Sequence, residues 1–97
     1  MLTIKELKNI FDKENINSHA YSFQGNSMPL LESVYFMQKN KNNEFEIYFQ
    51  ERDEVEKIAT FVGESEACAF FLLKMSGGFS KLRKYLPQYW QYCVKAS

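Results

Sequence analysis

Histidine and cysteine are nearly missing from this chain, and their scarcity narrows its chemistry before any pattern is considered. The single histidine, His19, falls in a polar stretch with no cysteine near it. A lone loop histidine is an ordinary surface residue far more often than a base or a metal ligand. Ser18, Ser22, Ser27 and Ser33 lie near it in sequence, but none stands in a nucleophile elbow, so no Ser–His constellation is indicated. Cys68 and Cys93 are the only cysteines and share no CxxC spacing, which excludes a disulfide framework and gives no zinc site. Glycine is sparse as well. Gly77-Gly78 lacks the lysine and hydroxyl residue of a phosphate loop and follows a helix where phosphate binding needs one to begin.

Net charge is missing too. Twelve basic residues cancel twelve acidic ones, so no global field draws the chain to nucleic acid or to an anionic membrane. No apolar run approaches the roughly 20 residues of a membrane span. The opening MLTIKELKN has no secretory core, so a cytoplasmic location is expected. These absences leave no catalytic residue, metal ligand or cofactor to assign, and the expectation is a protein that binds and does not catalyse.

What is present suffices for one core. Hydrophobic residues make up 45% of the 97 positions and aromatics 16%, enough for one packed domain over residues 1–97 and too little chain for a second. Residues 77–97 stand out as a candidate C-terminal extension. Leu2, Ile4, Leu7, Ile10 and Phe11 recur at helical spacing, and Thr3 with Glu6 forms a capping box, predicting a helix from Ile4 to Glu14. Asn15 and Asn17 end it. Residues 18–31 read as a long irregular connection.

Three strands are expected next, Ser33–Lys39, Glu44–Glu51 and Glu56–Val62, joined by turns at Asn40–Asn43 and Arg52–Glu54 as an antiparallel meander. In the second, Phe45, Ile47 and Phe49 alternate with Glu44, Glu46, Tyr48 and Gln50, so one row faces a core and the other an acidic, solvated surface. Gly63 then caps a helix bearing Glu64 and Glu66 in its first turn, with Cys68, Phe71, Leu72 and Met75 on one face to cover the sheet, and Gly77-Gly78 closes it. A short helical stretch broken near Pro87 completes an α+β fold.

Charge is unevenly placed within this frame. Between Glu44 and Glu66 eight acids face two bases, a balance of −6, while from Ala67 onward five bases stand without an acid. The carboxylates at Glu44, Glu46, Asp53, Glu54 and Glu56 could serve a glycosidase or a hard metal, but a solvated sheet face accounts for them without chemistry. Glu46, Tyr48, Glu51, Arg52, Asp53, Glu54 and Glu56 are the candidate partner-binding residues, a charged surface with one aromatic anchor suited to a basic protein. The alternative is a small RNA-binding or regulatory module using Lys81, Arg83, Lys84 and Trp90, because cations interleaved with aromatics also suit single-stranded nucleic acid. Leu82, Leu86, Tyr89 and Cys93 at helical spacing argue instead that this segment packs on the domain.

The strand FEIYFQER followed by FVGESEACAFFL resembles a pattern in a group of immunity proteins that accompany bacterial polymorphic toxins and contact-dependent growth inhibition systems. Glu46, Tyr48, Glu51, Arg52, Phe61, Glu64, Glu66, Ala67 and Cys68 carry the likeness, which runs from the first helix to Met75. Asp53 departs from the group's glycine, Gly63 from its capping serine, and the basic aromatic tail is an addition. The resemblance implies neutralisation of a cognate toxin domain, often a nuclease, by direct contact and without catalysis. It implies a protein partner and no membrane, while a three-stranded sheet leaves an edge through which two copies could pair.

Overall fold

In the computed structural model the described residues are 2–16, 20–23, 34–51 and 54–89. Helix α1 spans Ile4–Lys13. Thr3 holds an extended backbone before it, and its Oγ1 accepts the Glu6 N–H at 3.1 Å, so an orphan donor of the first turn is satisfied. The Ile4 N–H donates to Glu64 Oε2 at 2.9 Å, a long-range cap that ties the start of this helix to the start of the second. At the other end Asn15 sits at φ 57, in the left-handed region that asparagine tolerates. From there its N–H reaches the Asp12 carbonyl at 3.2 Å and the Ile16 N–H reaches the Phe11 carbonyl at 2.9 Å, the paired closure of a Schellman turn. The expected asparagine stop is therefore a specific geometry, and it returns Ile16 to the core beside Leu7 and Phe11.

The sheet has four strands, β1 (Tyr21–Ser22), β2 (Val34–Lys39), β3 (Phe45–Glu51) and β4 (Glu54–Phe61), in that spatial order. Strands β2, β3 and β4 form the expected antiparallel meander. The expectation of three strands needs correction, since β1 pairs in parallel with β2 through Tyr21↔Tyr35 and Ser22↔Phe36 and makes the sheet mixed. A two-residue strand has no periodicity to detect; the ladder against β2 defines it, with the Tyr35 N–H reaching the Ala20 carbonyl at 3.2 Å. Strand β4 also begins at Glu54, two residues earlier than its composition suggested, because Glu51↔Glu54 and Gln50↔Val55 continue the ladder to the end of the hairpin. A bulge lies opposite Ile47 and Tyr48: Ile47 pairs with Ala59 and Tyr48 with Lys57, leaving Ile58 as the extra residue.

Helix α2 spans Glu64–Ser76 behind Gly63 and packs on the sheet, on α1 and on the segment that follows it. More than one face is buried. Ala67, Cys68, Ala69, Phe70, Phe71, Leu72 and Met75 are all inaccessible, as befits a helix enclosed on several sides. Gly77 does not close it in the left-handed form expected: its φ is −66, and the chain runs on through turn bonds from the Gly78 and Phe79 N–H groups to the Met75 carbonyl. Two 3₁₀ turns, Ser80–Tyr85 and Pro87–Tyr89, complete the described chain, and they bring Leu82 and Tyr89 into the same core as α1 and α2.

Candidate protein-docking site on the sheet

Alternation along β3 divides the candidate residues between two faces. Tyr35 and Phe49 pair across β2 and β3 with ring centroids 4.8 Å apart, and Tyr35 meets Phe71 of α2 edge-on at 6.4 Å, so this row faces the helices. The opposite row holds Val34, Phe36, Gln38, Glu46, Tyr48 and Gln50. It is not the solvated acidic surface that its composition implied. Val34, Phe36 and Gln50 are buried there, and the Tyr48 ring stacks on Phe36 at 4.9 Å, 8° from parallel.

Glu46 is consumed by this face. Its Oε1 accepts the Tyr48 hydroxyl at 2.8 Å, its Oε2 accepts Asn40 Nδ2 at 3.1 Å, and Gln38 and Lys57 approach at 3.4 and 3.5 Å. The hydroxyl first, and then the Asn40 amide, stabilise the carboxylate and hold its pKa down to about 2. The network grows out of the β2–β3 hairpin. Asn43 takes φ 63 to close it, and Asn40 Oδ1 accepts the N–H groups of Asn42 and Glu44 at 2.8 and 3.0 Å, which aims its amide at Glu44 and Glu46. Glu46 and Tyr48 thus brace the sheet, and the anchor role expected of Tyr48 is taken up within the fold.

The remaining acids gather at the far end of the β3–β4 hairpin. Glu51, Glu54 and Glu56 line an open concavity of about 520 Å³ together with Phe49 and Val55. Glu54, Val55 and Glu56 are exposed on consecutive positions, Val55 at 46%. The structure therefore brings together three of the seven expected residues around an aromatic floor, and sends Glu46 and Tyr48 to the opposite face. Arg52 and Asp53 lie outside the described residues. Phe49 and Val55 were not among the expected site residues: Phe49 was read as core, and Val55 was left at the end of a turn because β4 was started too late.

The basic segment has a structural employment of its own. Lys84 Nζ lies 2.9 Å from Glu14 Oε2, the Tyr85 hydroxyl donates to the same oxygen at 2.6 Å, and Lys81 Nζ approaches the Glu14 carbonyl at 3.5 Å. A carboxylate at the C-terminus of α1 opposes the helix dipole, and these groups offset that conflict. The Tyr85 hydroxyl, ahead of Lys84, lowers the Glu14 pKa. Arg83 Nε approaches the Ser76 carbonyl at the end of α2 at 3.4 Å. Lys81, Arg83 and Lys84 each complement a helix C-terminus, while Trp90 lies outside the described residues, as do His19 and Cys93. Cys68 is buried in α2, and desolvation, aided by the Glu64 and Glu6 charges, pushes its thiol up to about 12. Among the described residues no three His, Cys, Asp or Glu side chains gather as metal ligands, and no helix is long and apolar enough to cross a membrane. In comparisons with family models, with characterised proteins and with solved structures, the chain has no significant match.

Proposed function

We propose that the chain acts by binding a protein partner, as an immunity protein that neutralises a cognate bacterial toxin domain through direct contact and without catalysis. The observation that supports this most is the concavity at the end of the β3–β4 hairpin, where Glu51, Glu54 and Glu56 surround Phe49 and Val55. An apolar floor with a charged rim is the composition of a recognition surface: the floor supplies affinity, and the rim supplies association rate and partner choice. A basic domain, such as the nucleic-acid-binding surface of a nuclease toxin, complements it. The FEIYFQER and GESEAC segments agree with this reading through their resemblance to immunity proteins of polymorphic toxin systems.

The test is binding and growth protection against the toxin domain encoded beside the chain, with Glu51→Lys, Glu54→Lys and Glu56→Lys combined. The expected result is a Kd weakened at least about tenfold, mostly through slower association that fades with added salt, and loss of protection. Lys84→Glu serves as the charge control away from the concavity. Unchanged affinity and intact protection in the triple variant would sink the proposal.

A further inference from the structure

Strand β4 ends the sheet, and among the described residues its second edge has no partner strand. Its first four residues, Glu54, Val55, Glu56 and Lys57, are all exposed. A strand covered on one face alternates between buried and exposed positions, so four in a row means that this half of β4 is open on both faces. Proteins usually blunt such an edge with brevity, proline, lysine or a bulge. Here the strand has eight residues and no proline, the bulge comes after the open half, at Ile58, and the one lysine leans inward to Glu46 at 3.5 Å.

We infer that the open half of β4, Glu54–Lys57, receives an extended basic segment of the partner protein as an added strand. This rests on the partner-binding reading given above and specifies its mode. Backbone N–H and C=O groups along the edge supply hydrogen bonds whatever the sequence of the segment, and the side chains select it. On the side of the concavity, lysine or arginine side chains of the segment meet Glu51, Glu54 and Glu56, with their methylene stems over Phe49. Between those positions an apolar residue meets Val55, which is 46% exposed.

A second copy of this chain fits the same edge poorly. A dyad that continues the sheet keeps each residue on its own face, so antiparallel self-pairing must centre on a residue. Centred on Val55 it opposes Glu54 to Glu56, centred on Glu56 it opposes that carboxylate to itself, and centred on Lys57 it opposes two ammonium groups. Like charges directly opposite destabilise a ladder in each of these registers. A segment carrying lysine or arginine removes the conflict.

The experiment titrates the full chain with an eight-residue peptide alternating lysine and valine, with the same peptide N-methylated on alternate backbone nitrogens, and with a glutamate–valine counterpart. Binding is followed by amide NMR and amide hydrogen exchange, and the self-association of the chain by sedimentation. The expected outcome is slower exchange along Glu54–Lys57, binding weakened at least about tenfold by N-methylation, and no binding of the acidic peptide. Equal binding of the methylated peptide would overturn strand addition, as would failure of the lysine–valine peptide to bind. A dimer with protected β4 amides would overturn it in favour of a second copy. Charge reversal at Glu51, Glu54 and Glu56 against the toxin domain reads the partner-binding proposal separately: affinity lost there, with no effect of N-methylation here, leaves the surface standing and removes only its mode.

Discussion

Leu82 decides whether the last segment is part of the fold. Its side chain is fully buried in a 3₁₀ turn that packs on α2, in one core with Leu7, Phe11 and Phe71. Leu82→Ala removes the side chain beyond Cβ and leaves a cavity that neighbours anchored in α1 and α2 fill only in part, so the cost is about 2–5 kcal/mol. Against a total stability of roughly 5–15 kcal/mol for a domain of this kind, that is a large fraction. With a urea dependence of about 1–3 kcal/mol per molar, a loss of 3 kcal/mol moves the midpoint by roughly 1–3 M. The same loss lowers Tm by about 12–24 °C at this chain length. Lys81→Ala, on an exposed neighbour, should stay within about 0.5 kcal/mol. Urea melts followed by far-ultraviolet circular dichroism and by tyrosine fluorescence give both numbers. A cost below about 1 kcal/mol, or a separate early transition of small slope, would refute the inclusion of this segment in the cooperative unit.

Three further outcomes follow from the geometry. Asn43→Val should cost about 1–2 kcal/mol in urea melts, because a β-branched residue is strained at φ 63, whereas Asn43→Gly should be far milder; equal costs would argue against the left-handed turn. Tyr48→Phe removes the main cause of the low Glu46 pKa, so a carboxyl NMR titration should show the midpoint rising from about 2 toward the usual 4.5. Because the folded pKa is the depressed one, the stabilisation from this bond is present above the usual carboxylate range and fades as pH falls toward 2, so wild type and variant should converge in acid; a constant gap would refute the assignment. Cys68, buried and with its thiol pushed up to about 12, should react with a thiol reagent only through opening of α2, so its modification rate should track urea concentration and change little with pH around neutrality.

Legibility in the sequence followed the range of the interactions involved. Helix α1 was legible because its stripe, its Thr3 cap and its Asn15 stop all act within a few residues. The sides of β3 were legible from alternation, which places Phe45 and Ile47 in the core. Strand β1 and the early start of β4 were not, because both are defined by ladder partners elsewhere in the chain. Gly77-Gly78 shows the reverse error. A glycine after a helix suggests a left-handed stop, yet here the turn bonds carry the chain forward into a 3₁₀ segment whose Leu82 and Tyr89 the core already accommodates.

The acidic middle of the chain illustrates why charge counts identify a region but not a site. A carboxylate can be presented to a partner only where the fold has not already spent it. Glu46 is spent: a hydroxyl, an amide and an ammonium converge on it, and presenting it would require breaking those bonds before any were made. Glu14 is spent in the same way on Tyr85 and Lys84, which also removes Lys84 from the cations available to nucleic acid. Glu54 and Glu56 lie on exposed backbone beside an apolar floor, where a cation would meet them at little desolvation cost. The partition turns on which acids have a hydroxyl or amide placed to reach them, and that depends on hairpin geometry as much as on residue type. Asn40 reaches Glu46 because Asn43 closes a tight turn; no such residue sits beside the concavity among those described. The surface that remains after this subtraction is small, and its most accessible backbone is the open half of β4. That is why the mode of binding proposed for it runs through the strand edge as well as through the charges.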